Sequence, residues 1–425
     1  MDKNKRLTVW LPVIIAASIA LGIFIGNHYL SISQGKKRSY SSGNKINAIL
    51  DIIDEQYVDT VSMSKLVEST IPKIFSELDP HSVYIPAEDA SVVNEELEGS
   101  FSGIGVSFNM QTDTILVISV ISGGPAEKAG LLPFDRIISI NDSIFSGKKK
   151  NQGEIMKTLR GAKNSTVKLG VQRGNSPELL YFDVTRGDVP VNSVDVSFEA
   201  AKGIGYIKVS KFARNTYNEF ITAIAKLKQA GCTSFVIDLR GNTGGYMDAA
   251  INMINEFMPE GRLIVYTEGK SFPRSDVYAN GTGTCKDAPI VVLTDEISAS
   301  ASEIFSGAIQ DNDRGTIIGR RTYGKGLVQT QMSLSDGSEM RLTIARYYTP
   351  SGRCIQKKYE MGNTDAYDQD IYNRYMHGEF DSADSIKMDD SLKYQTVGGR
   401  TVYGGGGIMP VSYTHLRAHE TPEHL

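Results

Sequence analysis

The sequence predicts a multidomain α/β chain, and three observations carry that prediction. A β-rich, glycine-punctuated stretch runs from about Leu97 to Gly187 and has the size of one compact module. From about Val189 onward, buried-type strands alternate with amphipathic helical patterns, which implies a layered α/β body. A helical lead-in and an N-terminal apolar run precede both. At 425 residues with 40% hydrophobic content, the chain is long enough for two or three domains with their own cores.

The chain opens with Lys3, Lys5 and Arg6, followed by an apolar run from Leu7 to Ile25 broken only by Thr8, Pro12, Ser18 and Gly22. About 19 residues at 1.5 Å each nearly cross a bilayer's hydrocarbon core. The run is longer than the apolar part of a cleaved signal peptide and no A-x-A site follows it, so residues 1–30 read as an uncleaved signal anchor. The leading positive charges put the N-terminus in the cytoplasm and the body outside it, in the periplasm of a cell with an inner membrane, although Lys36, Lys37 and Arg38 act against that orientation. Trp10, the only tryptophan, suits the membrane interface. Residues 31–44, rich in Ser, Gly and basic side chains, form a solvated linker. Residues 45–96 then form a helical region, with Ile46, Ile49, Leu50 and Ile53, and again Leu66, Ile71, Ile74 and Phe75, at helical spacing.

A net charge of −4 from 45 basic and 49 acidic side chains argues against a nucleic-acid footprint. Cys232, Cys285 and Cys354 are too few and too far apart for a disulfide framework or a zinc cluster, and leave one bridge open.

Within residues 97–187, strand runs such as Thr114–Val120 and Val167–Val171 lie between glycine-rich turns. Phe101-Ser102-Gly103-Ile104-Gly105-Val106, Gly124-Pro125-Ala126-Glu127-Lys128-Ala129-Gly130 and Asp135-Arg136-Ile137-Ile138-Ser139-Ile140-Asn141 follow in order, and together they resemble a PDZ domain of the bacterial type. Such a domain adds a peptide as an extra strand and captures its carboxylate with backbone N–H groups. The resemblance assigns that loop to Gly103, Ile104, Gly105 and Val106. Arg160, late in the module, is a candidate to sense the bound carboxylate or to couple it to the body that follows.

That body spans 188–360. Gly205–Val209 reads as a strand, Asn218–Ala230 as an amphipathic helix, Ser234–Leu239 and Pro289–Thr294 as buried strands, Ala301–Ile309 as a helix and Thr316–Gly319 as a strand. Leu239-Arg240-Gly241-Asn242-Thr243-Gly244-Gly245 follows a strand directly, so its backbone N–H groups are free to face an anion. It lacks the Gly-Lys-Ser/Thr ending of a nucleotide loop and the register of a dinucleotide fold.

Ser298-Ala299-Ser300-Ala301-Ser302-Glu303 supplies hydroxyl nucleophiles, and Thr322-Tyr323-Gly324-Lys325-Gly326-Leu327-Val328-Gln329 a lysine that can act as a base if burial deprotonates it. The order of Leu78-Asp79-Pro80-His81-Ser82-Val83-Tyr84, the PDZ-like module, Asp238 to Gly245, Ser298 to Glu303 and Thr322 to Gln329 resembles the carboxyl-terminal processing peptidases, or tail-specific proteases, over roughly residues 45 to 410. The resemblance implies an α/β Ser-Lys protease core behind a PDZ domain. It makes Ser300 the nucleophile, Lys325 the general base and Gln329 the group that orients the lysine. Ala301 and either Gly244 or Gly245 then supply the oxyanion N–H donors. The implied activity is serine endopeptidase cleavage near the C-termini of exported proteins, with no metal or organic cofactor, protein tails as partners, and dimerisation by resemblance only. The Asp-Pro-His-Ser stretch is a structural signature in that family, so His81 is expected to pack rather than to serve as a base. Glu303 is expected to start a helix, where an acidic group is favourable.

Residues 361–410 look like the corresponding region of some bacterial members, up to Tyr403-Gly404-Gly405-Gly406-Gly407-Ile408-Met409-Pro410. Residues 411–425 depart from the pattern and read as non-native sequence; His415 and His419 there lack a third ligand for a metal. The competing reading is a non-catalytic PDZ scaffold that binds C-termini in the envelope, which need not retain Ser300, Lys325 and Gln329 together. A structural envelope protein explains the apolar run but not these motifs.

Overall fold

The computed structural model describes residues 16–23, 42–111, 114–144, 152–174 and 176–413. The chain divides into two compact units, Met1–Thr70 and Ile71–Leu425. The first contains helix α1 (16–23), helix α2 (Ser42–Gln56) and most of α3 (Met63–Ser76). The helical spacing seen in the sequence over this region thus becomes real helices. The rest of the apolar run and residues 31–41 of the linker lie outside the described residues. Among the described residues no helix is long and apolar enough to cross a membrane, so the anchor reading gains no support from them.

In the second unit, β1 (Val83–Ile85), α4 (Ala87–Glu98) and β2 (Ser100–Gly103) lead into the β-rich module. The module comprises β3 (Val106–Gln111), β4 (Thr114–Val120), α5 (Pro125–Ala129), β5 (Arg136–Ile140), β6 (Ser143–Ile144), α6 (Gln152–Leu159), β7 (Thr166–Gln172) and β8 (Leu180–Thr185). Its sheet runs β3-β4-β5-β7-β8 with β6 on β5, which leaves β3 as an edge strand. Alternate residues of these strands, among them Ile115, Val117, Val167, Leu169 and Val171, point into one core together with Ile155 and Leu159 of α6. β9 (Gly187–Pro190) pairs antiparallel with β2, so the chain enters and leaves the module side by side.

The α/β body follows: β10 (Val194–Ala201), β11 (Ile204–Val209), α7 (Thr216–Gln229), β12 (Ser234–Asp238), α8 (Met247–Asn255), β13 (Leu263–Glu268), β14 (Ser275–Tyr278), β15 (Ile290–Thr294), α9 (Ala301–Asp311), β16 (Thr316–Gly319), β17 (Leu327–Ser333) and β18 (Glu339–Tyr348). Helices α10 (Asp365–Asp368) and α11 (Asp370–Met376) and strands β19 (Lys393–Gln395), β20 (Thr401–Tyr403) and β21 (Ser412–Tyr413) complete it. The main sheet runs β10-β11-β12-β15-β16-β21, parallel except where β10 meets β11. A second sheet orders β1-β18-β13-β14, with β17 also on β18. The parallel strands bury Ile207, Phe235, Ile237 and Val292 against the helices, and Phe257 meets Phe220, Phe235 and Phe305 edge-on in that core.

The C-terminal region is bound into the body by a charged contact. Arg353 and Asp311 are wholly buried and pair at 2.7 Å, with Gln310 Oε1 and the Tyr403 carbonyl taking two further Arg353 protons at 2.7 Å each. Beyond Pro410, Ser412 and Tyr413 pair with β16, while residues 414–425, including His415 and His419, lie outside the described residues. All three cysteines are free, so the bridge left open by the sequence does not form.

Candidate active site

Parallel strands place their C-terminal ends along one edge of the sheet, and two loops there meet. β15 ends at Thr294, and residues 295–300 turn into α9. The Asp295 carboxylate shapes that turn by accepting N–H bonds from Ile297 at 3.1 Å and Ser298 at 3.0 Å, and it also accepts one from Gly241 in the neighbouring turn at 3.0 Å. The three serines of the run separate by their partners. The Ser298 hydroxyl donates to the Leu239 carbonyl at 2.8 Å, and that of Ser302 to the Asn242 carbonyl at 2.9 Å; both side chains are buried. The Ser300 hydroxyl donates to no acceptor among the described residues, and Ser300 is half-buried. Its φ of 53° is in the left-handed region that side chains other than glycine seldom adopt, a strain typical of functional turns.

The glycine-rich turn after β12 lies against this serine. Buried Asp238 accepts from Tyr206 Oη at 2.6 Å and Arg240 Nη2 at 2.7 Å. Burial alone would raise its carboxyl, but the Arg240 and Tyr206 bonds more than offset that and hold it below the usual carboxylate range. Asn242 is fully buried, with its Nδ2 donating to the Val209 carbonyl at 2.9 Å and its carbonyl accepting from Ala299 N–H at 3.0 Å. A Cβ on Gly244, at φ 103°, would stand 2.8 Å from both Ser300 Cβ and the Ala299 carbonyl, so only glycine allows this approach. The Gly244 N–H is already donated to Asn242 Oδ1 at 2.8 Å, whereas the Gly245 and Ala301 N–H groups meet no acceptor among the described residues.

Lys325 lies in the loop between β16 and β17. Its Nζ donates to Gln329 Oε1 at 3.0 Å, and the Gln329 amide nitrogen donates in turn to the His81 carbonyl. This second bond fixes which end of the amide faces the lysine. Asp79 holds the His81 carbonyl in place by accepting from His81 N–H at 3.0 Å, Ser82 N–H at 3.1 Å, Ser82 Oγ at 2.5 Å and Thr343 Oγ1 at 2.9 Å. The Asp-Pro-His-Ser stretch is therefore a bracket for Gln329. The His81 ring pairs with Tyr367 Oη at 2.8 Å, and burial, reinforced by the charge of Lys325, pushes its pKa down to about 4. Burial likewise pushes Lys325 down to about 8, the Arg341 charge acting in the same sense and Asp79 and Glu303 against it.

Glu303 does more than start α9. It is fully buried and burial pushes its carboxyl up to about 7, against four donors that favour the anion. Oε2 accepts the N–H of Ser300 at 2.9 Å and of Lys325 at 2.8 Å, and Oε1 accepts Thr322 Oγ1 at 2.5 Å and Gly324 N–H at 2.7 Å. Thr322 Oγ1 also accepts from Ile408 N–H at 2.6 Å, so the end of the glycine run braces the same loop. An acidic residue in a first helical turn signalled a helix start; the partners from the lysine loop are tertiary and left no local signal. The bonds of Asn242 to Val209 and Ala299, of Asp79 to Thr343 and of Asp238 to Tyr206 were missed for the same reason.

In the β-rich module, the Ile104 and Gly105 N–H groups of the candidate carboxylate loop meet no acceptor among the described residues, and Gly105 takes φ 77°. The loop leads into edge strand β3, beginning at Val106, as strand addition requires. Arg160 stands beside the loop, its guanidinium 4.4 Å from the Phe101 ring centroid and 3.6 Å from Glu95 of α4.

These features describe a PDZ-bearing α/β peptidase body, and comparison with known proteins places it. The profile of peptidase family S41 matches residues 203–365, and that of a PDZ domain matches residues 102–195. Over 318 residues the chain is 35% identical to the carboxy-terminal processing protease CtpB of Bacillus subtilis (strain 168), covering 74% of this chain and 66% of that protein. It is 33% identical over 365 residues to a CtpA-like serine protease of Staphylococcus aureus (strain N315), covering 84% of this chain and 72% of that one. The solved photosystem II D1 C-terminal processing protease is 28% identical over 74% of this chain and 90% of its own, with a TM-score of 0.40. The chain belongs to peptidase family S41 and is a serine-type peptidase with a PDZ domain.

Proposed function

We propose that the chain is an endopeptidase that cuts protein substrates near their free C-termini, with Ser300 as nucleophile, Lys325 as general base and Gln329 as the group that orients the lysine. The observation that carries this reading is the Lys325 Nζ to Gln329 Oε1 bond at 3.0 Å, made by a buried lysine whose pKa is pushed down to about 8. Neutral Lys325 accepts the Ser300 proton as Oγ attacks the peptide carbonyl carbon. The oxyanion then takes N–H bonds from Ala301, at the start of α9, and from Gly245, the glycine whose N–H is unengaged. Lys325 returns the proton to the leaving amine as the C–N bond breaks, and water hydrolyses the acyl-enzyme by the same route. The PDZ loop around Ile104 and Gly105 captures the substrate carboxylate, with Arg160 beside it as its sensor. The N-terminal apolar run anchors the body outside the cytoplasm, in keeping with Lys3, Lys5 and Arg6 ahead of it.

The test is cleavage of an unstructured protein with an apolar C-terminus by the full chain in detergent, beside its C-terminally amidated form. Turnover that weakens on amidation supports tail recognition. Binding of the free tail without any turnover would return the scaffold reading.

A further inference from the structure

One buried phenol links the two residues assigned to the reaction. Tyr347, near the end of β18, is 1% exposed. Its hydroxyl lies 3.1 Å from the Ser300 carbonyl and within donating distance of the Lys325 carbonyl. One O–H proton is therefore shared between the Lys325 carbonyl, which no helix or strand ladder pairs, and the Ser300 carbonyl, which also accepts the first N–H bonds of α9 from Glu303 at 2.8 Å and Ile304 at 2.9 Å. Glu303 does the complementary task with a single carboxylate oxygen, which accepts the N–H of Ser300 at 2.9 Å and of Lys325 at 2.8 Å. Both the donor and the acceptor of each residue's main chain are thus tied to the other residue through one oxygen atom.

We infer that the Tyr347 hydroxyl is a positioning group that sets the separation and orientation of Ser300 and Lys325 by binding both of their carbonyls. The inference rests on the Ser-Lys reading above. Its physical basis is that Ser300 and Lys325 sit on two loops, after the paired strands β15 and β16, whose main chains meet at Arg320 N–H to the Thr294 carbonyl and Tyr323 N–H to the Ser298 carbonyl, both at 3.0 Å and both short of the two residues themselves. Ser300 is also held at a φ of 53°, a strained conformation that persists only where surrounding bonds over-determine it. Without the phenol the Ser300 carbonyl keeps its α9 bonds but loses its tie to the lysine loop. A loosened Lys325 carbonyl lets the side chain swing from its buried place toward water. Near-attack geometry is sensitive to shifts of this size, about 1 Å of misplacement costing roughly a hundredfold.

The experiment compares the full chain with Tyr347→Phe and Ser300→Ala on one unstructured protein substrate, with melting temperature recorded for each. Tyr347→Phe removes one oxygen and leaves the ring in its core. The expected result is a kcat lower by about tenfold or more with KM held. The pH at which kcat/KM is half-maximal should also move upward, as Lys325 regains part of its ordinary solvation. A smaller folded fraction would leave that midpoint where it was, so the midpoint separates positioning from mere stability. Unchanged kcat, or an unchanged midpoint, overturns the inference. If Tyr347→Phe does not fold, p-aminophenylalanine at 347 keeps an N–H donor at the same place: near-native kcat supports the inference, and a native melting temperature with kcat lost overturns it. Activity that survives Ser300→Ala refutes the Ser-Lys reading itself, whereas an inactive Ser300→Ala beside an unaltered Tyr347→Phe refutes only the role of Tyr347.

Discussion

At the scale of the residue, the proposed chemistry depends on a lysine whose pKa is lowered by burial. Lys325 is charged below its pKa of about 8 and can act as a base only above it. A pH profile of kcat/KM should therefore climb through about pH 8 and level off above, and a profile already flat from pH 6 upward would remove Lys325 from the role of base. Replacing Gln329 by Leu removes the acceptor at 3.0 Å without adding charge, and should lower kcat by roughly tenfold with little change in KM. His81→Ala should cost less than about a tenth of what Lys325→Ala costs, because Gln329 is held by the His81 main-chain carbonyl and not by its ring. Steady-state kinetics on the three variants settle both points. Among these residues, Ser300 was reached from the sequence by family register alone. In the structure Ser298 and Ser302 donate their hydroxyl protons to the carbonyls of Leu239 and Asn242, far away in sequence, which is consistent with that proposal. Glu303 was visible as a helix-start residue, but its bonds to Thr322, Gly324 and Lys325 come from another loop, and Tyr347 carried no signal at all.

At the scale of the element, two contacts are predicted to be brittle. A Cβ on Gly245 would stand 2.1 Å from the Phe212 carbonyl, closer than any relaxed contact. Gly245→Ala should push the turn away from Ser300 and abolish cleavage while α7 and α8 keep their circular-dichroism signal; retained activity would show that the turn tolerates the shift. Arg353 is wholly buried with Asp311, and Arg353→Met strands that carboxylate. Denaturant unfolding should register a loss of about 3–5 kcal/mol. The parallel strands β11, β12, β15 and β16 were legible as short apolar runs, and α7 and α9 as amphipathic or apolar helices, each within a few residues of its observed bounds. The second sheet was not read. Most of β18 is only half-buried, and β10 is exposed nearly throughout, so neither presents a clean alternation of apolar and polar residues.

At the scale of the molecule, one polypeptide joins a PDZ module, proposed to bind substrate tails, to a peptidase body. The chain enters and leaves the module on paired strands β2 and β9, and β3 is left as an edge for an added strand. Amidating the substrate C-terminus should therefore raise KM several-fold more than it lowers kcat, which kinetics on paired peptides would check. The order of modules was legible because three PDZ-like motifs and four peptidase motifs occur in sequence. The contribution of residues 361–410 was not, because its contacts, such as Ile408 N–H to Thr322 Oγ1 at 2.6 Å, are made with loops far upstream. The central claim is the pairing of Ser300 with Lys325, and the most direct test is single-turnover cleavage of an unstructured substrate by the native chain, Ser300→Ala and Lys325→Ala at pH 9. Loss of turnover by at least about a thousandfold in both variants, with tail binding preserved, is the result expected of a nucleophile and its base. Turnover that survives in either variant would contradict the account.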